Sequence, residues 1–107
     1  PKLGTLPLSF ATVAASQTKQ VLGATGAVGD SLASLVIVPA TTSPGAVTLY
    51  DGSGSTGIEL FAGGATSVAD LKPINVPLNI RAKTSGSPGW YVTTGANVSV
   101  LANGNFT

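Results

Sequence analysis

Short apolar segments recur along the chain, and glycine or proline separates most of them. In several segments apolar and polar residues alternate, as where Val98 and Val100 alternate with Asn97 and Ser99. A period of two is typical of β-strands, because successive side chains point to opposite faces of a sheet. The pattern predicts eight strands, at residues 8–14, 18–22, 31–38, 46–50, 58–61, 74–82, 90–93 and 97–101.

Turn-forming sequences lie between these strands. Ser-Pro-Gly occurs at 43–45 and at 87–89, Asp-Gly-Ser-Gly occurs at 51–54, and Thr-Gly links the last two strands at 94–95. Such sequences favour tight turns. Short strands spaced by roughly 8–12 residues indicate a sandwich, a jelly roll or a small barrel. We therefore predict an all-β fold, a single antiparallel β-sandwich or jelly roll of about eight short strands, and the pattern leaves the strand order open.

Two segments carry more specific expectations. The run Leu35-Val36-Ile37-Val38 is continuously apolar, which predicts a strand covered on both faces. Residues 71–78 contain Pro73 and Pro77. Because proline cannot donate a ladder hydrogen bond, this segment is expected at a sheet edge or a bulge.

The composition limits the chemistry that the chain can perform. Its 107 residues include no His, Cys or Met, which excludes disulfides, thiolate or imidazole metal sites and catalysis by His or Cys. Charged residues make up 8% of the chain, against about 25% in a typical soluble domain. Hydrophobic residues make up 43%, so a core can form. A weakly charged surface suits a subunit held permanently among neighbours, or a secreted domain.

Signals for nucleic acid and membranes are weak. Arg81 and Lys83 are the only Lys or Arg residues that stand near each other, so no basic footprint for nucleic acid is expected. No apolar run approaches the ~20 residues of a membrane span. We expect neither nucleic acid nor a membrane as a partner.

A glycine-rich segment, Val-Leu-Gly-Ala-Thr-Gly-Ala-Val-Gly at 21–29, is similar to the dinucleotide-binding fingerprint of extended short-chain dehydrogenases. That fingerprint requires a parallel sheet with crossover helices, whereas the sequence after Val36 consists of strands and turns. The fingerprint's later Tyr-x-x-x-Lys is also absent, since Gly54 and Gly95 stand four residues after Tyr50 and Tyr91. The segment is therefore interpreted as a loop joining two strands.

The remaining polar residues do not assemble into a reactive site. Asp51 and Glu59 are loosely spaced like calcium ligands, but Asp-Gly after an alternating strand is foremost a hairpin turn. Lys83 with Ser85 and Ser87 is better interpreted as a solvated loop than as a Ser–Lys catalytic pair. We assign no catalytic residue, no cofactor, no cofactor-binding residue and no metal ligand, and we do not expect an enzyme.

The aromatic residues leave two interpretations open. Trp90 and Tyr91, with Tyr50 elsewhere, would make a platform on which a sugar could stack. Because neighbours on a strand point in opposite directions, the favoured interpretation places one of Trp90 and Tyr91 in the core. The other then covers a neighbouring strand or subunit. A glycan is thus a less favoured partner.

Several segments follow one another in a characteristic order. An apolar strand ending in proline at 34–39 is followed by Gly-x-Val-Thr-Leu-Tyr-Asp-Gly at 45–52. The proline-containing segment at 71–76 then precedes Gly-Trp-Tyr-Val at 89–92 and a closing strand at 97–101. This order resembles that of the small β-sandwich structural proteins of tailed bacteriophages. The resemblance covers about residues 18–101 and rests on degenerate hairpin motifs.

This resemblance implies a virion structural protein, made in the host cytoplasm, that binds the major capsid protein or other virion proteins and forms a homo-oligomer. Head decoration, which stabilises the capsid by repeated contacts, is the favoured role. A tail, collar or fibre subunit and a carbohydrate- or receptor-binding module are the alternatives. Residues 1–19 have no clear counterpart in the resemblance. Residues 1–16 are expected to form an N-terminal arm on a sandwich of residues 17–107.

The surfaces expected to contact other subunits are the start of the chain, the loops at 51–55 and 84–89, and the two neighbouring aromatic residues. The candidate contact residues are Pro1, Leu3, Leu6, Leu8, Phe10, Trp90 and Tyr91.

Overall fold

Eight β-strands make up the regular secondary structure in the part of the chain that the computed structural model describes, residues 9–54 and 56–107. The all-β prediction is confirmed, and each strand overlaps a predicted one. The strands are β1 (Ser9–Val13), β2 (Gln20–Val21), β3 (Ser31–Pro39), β4 (Val47–Asp51), β5 (Ile58–Phe61), β6 (Ile74–Arg81), β7 (Trp90–Thr94) and β8 (Val98–Asn105).

The strands form two four-stranded sheets, sheet A in the order β1-β8-β3-β6 and sheet B in the order β2-β7-β4-β5. Antiparallel pairs join β1 to β8, β2 to β7, β3 to β6 and β4 to β5, as if the chain were one long hairpin. The hairpin is rolled, so that β3 also pairs with β8 and β4 with β7. This strand order is that of an eight-stranded jelly roll.

The core lies between the sheets, and the inward-facing residues alternate with outward-facing ones along each strand. In β7 and β8, every second residue is buried, as the period of two requires. Burial of each large aliphatic side chain stabilises the fold by roughly 1.5–3 kcal/mol. The largest fully buried aliphatic side chains are those of Leu22, Leu32, Leu35, Ile37, Val13, Val47, Val92 and Val98.

Strand β6 lies at the edge of sheet A, where its prolines were expected to place it. The register between β3 and β6 also shifts between Leu32 and Ser34. Opposite this shift β6 has an additional residue, and Asn79 there has a φ of 54°. Edge position and bulge thus occur together, and Pro77 lies in a strand with a single partner.

The expected division between an arm of residues 1–16 and a separate sandwich is wrong for residues 9–16. Strand β1 pairs with β8 from Ser9 opposite Gly104 to Val13 opposite Val100. The Val13 side chain is fully buried in the core. Ser16 also donates its backbone N–H to the Gly95 carbonyl at 2.9 Å. These residues belong to the sandwich, and the rest of the expected arm lies outside the described residues.

The expectation that residues 35–38 are covered on both faces is also wrong within this chain. Leu35 and Ile37 are buried, whereas Val36 is half-buried and Val38 is exposed. A two-layer sandwich covers only the inner face of each sheet. The apolar residues on the outside of β3 are therefore open to contact with another molecule.

Candidate functional site

The outer face of sheet A is almost free of charge. Paired residues share a face, so Phe10, Asn103, Ser34 and Pro77 form one outward row across the four strands. The Asn103 side-chain amide donates to the Ser34 hydroxyl at 3.2 Å within this row. The row contains a large exposed apolar side chain, that of Phe10, but no charged group.

A second outward row of sheet A has the same character. It consists of Thr12, Leu101, Val36 and Asn75. Arg81, the last residue of β6, is the one charged residue in the four described strands of sheet A. Antiparallel sheets with one solvated face normally present polar and charged side chains there. A face whose one charge in the described strands lies at the end of β6 is a candidate contact surface.

The structure locates two of the contact regions predicted from the sequence, the start of the chain and the pair of loops. Phe10 is 68% exposed on β1, at the edge of the outer face of sheet A. Pro1, Leu3, Leu6 and Leu8 lie outside the described residues. The two loops expected to contact other subunits lie against each other, since Gly52 donates to the Gly89 carbonyl at 2.8 Å and Ser53 to the Ser87 carbonyl at 3.0 Å.

Trp90 belongs to the core, so its expected place on a contact surface is corrected. Its side chain is only 5% exposed. The indole Nε1–H donates to the Asp30 backbone carbonyl at 2.9 Å, which satisfies its polar atom as buried tryptophans require. The interpretation that one of the two adjacent aromatic residues faces the core is thereby confirmed.

Tyr91 points outward and lies directly opposite Tyr50 on the neighbouring strand of sheet B. The ring of Tyr50 is occupied on one side, because the Lys19 ammonium lies 4.8 Å from its centroid. Lys19 also donates to the Ser53 carbonyl at 2.9 Å, which holds it over that ring. The two tyrosines therefore form an aromatic patch whose Tyr50 half is already covered by a cation.

Asp51 stabilises a loop. Its carboxylate accepts the backbone N–H groups of Lys83 at 3.2 Å and of Thr84 at 3.3 Å. Glu59 lies on β5 opposite Thr48, away from the Asp51 turn in the strand ladder. In the described residues no group of three acidic, His or Cys residues is placed to hold a metal ion.

The glycine-rich segment at 21–29 connects β2 to β3 and holds the last residue of the sequence. The backbone N–H groups of Thr25 and Gly26 donate to the Thr107 carbonyl at 3.0 and 2.9 Å. A side chain at Gly23 would meet that carbonyl oxygen at 2.6 Å, so the close approach requires glycine. The amides that resembled a phosphate-binding loop are thus used within the chain.

Asp30 is a structural residue that the sequence did not single out. Its buried carboxylate accepts the Ala27 N–H at 3.0 Å, the Thr107 N–H at 3.1 Å and the Thr107 hydroxyl at 2.7 Å. A carboxylate satisfied by several donors tolerates burial. The signal available in the sequence was only an aspartate between a glycine-rich loop and a strand.

The sandwich is open on one side, between the edge strands β5 and β6. A groove of about 370 Å³ there has Leu49, Ile58, Ile80 and Trp90 among its lining residues. This volume is at the small end of the ~300–1,000 Å³ range of ligand pockets. The groove gives the buried residues Leu49 and Trp90 a path to the surface.

Comparison of the chain with protein-family models, with curated proteins and with solved structures yields no match.

No helix among the described residues has the length and apolar character needed to cross a membrane.

Proposed function

We propose that this chain is a structural protein of a bacteriophage virion, and that it decorates the head by repeated contacts with the major capsid protein and with its own copies. The observation that carries the proposal is the outer face of sheet A, where Arg81 at the end of β6 is the one charged residue in the described strands. Val36 and Leu101 lie side by side on that face with Phe10 at its edge. A protein that stays in solution usually carries interspersed charges on such a face.

The physical mechanism follows from burial of that face. Removing apolar surface from water contributes about 25 cal/mol per Å², and a stable interface buries about 800 Å² per partner. The two outward rows that contain Phe10, Val36 and Leu101 carry no charge. They can be buried without desolvating an ion, which would otherwise oppose association. Symmetry repeats the same contact in every copy, so modest single contacts add up over a shell.

The jelly-roll strand order agrees with this role without deciding it. Jelly rolls occur in viral capsid domains, and also in lectins and cupins. A fold of this kind hosts many functions, and the surface has to supply the argument. The resemblance of residues 18–101 to phage structural proteins adds support from the sequence.

The test is density-gradient sedimentation of native material that contains the chain, with the chain located by mass spectrometry. Sedimentation with particles of virion size is the expected result. Electron microscopy of those fractions then distinguishes heads from tails, collars or fibres. Recovery of the chain only at the top of the gradient, as a free domain or small oligomer, would overturn the proposal.

The tyrosine patch favours a second candidate, a carbohydrate- or receptor-binding module. Tyr50 and Tyr91 are direct cross-strand neighbours on the outside of sheet B, and aromatic faces stack on sugar rings. Retention on immobilised bacterial surface polysaccharide tests it. The module would be retained, Tyr91→Ala would abolish retention, and Trp90 would have no direct part because it is buried. Equal retention of Tyr91→Ala and the parent chain would remove this candidate.

A further inference from the structure

The open side of the sandwich leaves two inward-facing isoleucines uncovered. Ile58 is opposite Leu49 and Ile80 is opposite Leu32, and both of these leucines are buried in the core. Yet Ile58 is 66% exposed and Ile80 is 36% exposed. Residues that share a face with core leucines belong to the space between the sheets. Their exposure means that nothing in the described chain fills the groove between β5 and β6.

The edge of this groove is positively charged. Arg81 and Lys83 line it and are exposed, and neither forms an ion pair among the described residues. Asp51 also lines the groove, so its lining carries one more cation than carboxylates. The Asp51 carboxylate is held by the backbone N–H groups of Lys83 and Thr84, whereas the two cations have no partner side chain in the described part of the chain. The groove therefore suits an apolar segment that carries a carboxylate.

Such a segment is exposed at the other end of the same edge. Residues 68–71, Val-Ala-Asp-Leu, precede β6 without forming a strand or helix. Leu71 is one of the large exposed apolar side chains, at 54%. The Asp70 carboxylate lies 3.8 Å from the Lys72 ammonium, with both side chains largely in solvent. An exposed pair of this kind contributes little, so Asp70 is available to another cation.

This segment cannot fill the groove of its own chain. The Val68 N–H donates to the Thr42 carbonyl at 3.3 Å, which holds the segment at the end of the sandwich where β6 begins. The groove lies where β6 ends, at Ile80 and Arg81. Eight residues of strand separate the two ends by roughly 23 Å. Residues 68–71 can therefore reach a β5–β6 groove only on another copy of the chain.

We propose that residues 68–71 of one copy dock into the β5–β6 groove of the next copy. Leu71 covers Ile58 and Ile80, and Asp70 pairs with Arg81. Because the donor and acceptor surfaces differ, the contact is head-to-tail, and it repeats into a ring or an open chain according to the rotation between copies. The inference deepens the proposed function, since it names one of the repeated contacts that a virion protein of this kind would use.

Sedimentation equilibrium of the purified full chain over a range of concentrations tests the contact. We expect concentration-dependent association that Leu71→Asp and Ile58→Asp each weaken about tenfold or more. Both side chains are mostly exposed, so both variants should keep the parent circular dichroism spectrum and thermal stability. Ala14→Asp is the control, because this exposed residue follows β1, at the opposite edge of sheet A from β6, and this variant should associate like the parent.

Mixing the two variants gives the sharper result. The Leu71→Asp chain keeps an intact groove, and the Ile58→Asp chain keeps an intact segment. A head-to-tail contact predicts that each variant is monomeric alone and that their mixture forms a one-to-one dimer that does not grow further. No dimer in the mixture would overturn the proposal, as would association that survives in both single variants.

Swapping the two charges tests the proposed Asp70–Arg81 ion pair. Asp70→Arg and Arg81→Glu should each weaken association, and the chain carrying both changes should recover it. Failure of the double variant to recover would remove the Asp70–Arg81 pair.

Two other results would each contradict the proposed contact. If deleting residues 1–8 abolishes association while Leu71→Asp leaves it unchanged, the N-terminal segment fills the groove instead. If the purified chain is monomeric up to ~1 mM, the proposed contact between copies is wrong. Sedimentation with virion-sized particles would remain a separate result, so the two proposals can fail independently.

Discussion

The two outer faces of the sandwich differ, although both sheets contribute an apolar inner face to the core. Outside sheet A, Val36 and Leu101 lie in an uncharged row. Outside sheet B, Thr48 and Glu59 are paired neighbours, and Lys19 lies over Tyr50. Inner faces are fixed by the need for a core, whereas outer faces reflect what each sheet meets. The charges outside sheet B suit contact with water, whereas the apolar rows outside sheet A fit the proposed contact with another surface.

The first prediction compares how much an inward-facing and an outward-facing residue of β7 contribute to the free energy of unfolding. Trp90→Ala removes a buried indole and its hydrogen bond to the Asp30 carbonyl. We expect a loss of about 3–5 kcal/mol in the free energy of unfolding, measured by urea denaturation. Tyr91→Ala, one residue along and outward-facing, is the matched control and should lose clearly less. Equal losses would mean that the inward-facing and outward-facing side chains of β7 contribute equally to the free energy of unfolding, which would contradict the prediction.

The pattern of the sequence predicted the strands because alternation and turns are local. It assigned Trp90 and Tyr91 to opposite faces but not which one faces inward, because that depends on the strands packed against β7. It also ended the last strand at residue 101, whereas β8 runs through Gly104 to Asn105. Glycine and asparagine disfavour strands locally, but β8 is held between β1 and β3.

Strand order could not be predicted, because the pairs that define it are distant in sequence. Ser9 lies opposite Gly104, and no local signal encodes such a pairing. For the same reason residues 9–13 were predicted as a strand and yet assigned to an arm outside the sandwich. The groove could not be predicted for the same reason. It forms where the start of β5 lies near the end of β6, and the order of segments along the chain does not show that these two strands are neighbours in space.

The second prediction concerns the junction that ties the two sheets together. The Asp30 backbone carbonyl accepts from Trp90 of sheet B, and its carboxylate accepts from Thr107, just after β8 of sheet A. Asp30→Ala leaves the Ala27 and Thr107 donors without their acceptor. We expect a loss of about 1–3 kcal/mol, measured by thermal or denaturant unfolding.

The isosteric variant Asp30→Asn sharpens this result. It preserves the size of the side chain but replaces one accepting oxygen with a donor, so it should be destabilised in the same direction. Unchanged stability in both variants would show that the junction does not depend on this carboxylate.

The smallest effect on stability, and the sharpest test of the difference between the faces, comes from a pair of lysine substitutions. Val36→Lys places a charge in the middle of the outer face of sheet A, and Thr48→Lys places one on the outer face of sheet B. Both positions are half-buried and outward-facing. Lysine can extend its ammonium into water, so each variant should unfold within about 1 kcal/mol of the parent.

Their effects on binding should separate. If sheet A meets another virion protein, Val36→Lys has to desolvate an unpaired ammonium in that interface, which opposes binding strongly. The variant should therefore be lost from sedimenting particles, while Thr48→Lys sediments like the parent. Loss of both variants would mean that the particle contacts both faces. Retention of Val36→Lys would mean that the outer face of sheet A stays in water despite its apolar side chains, and the contact would then have to lie at the β5–β6 edge.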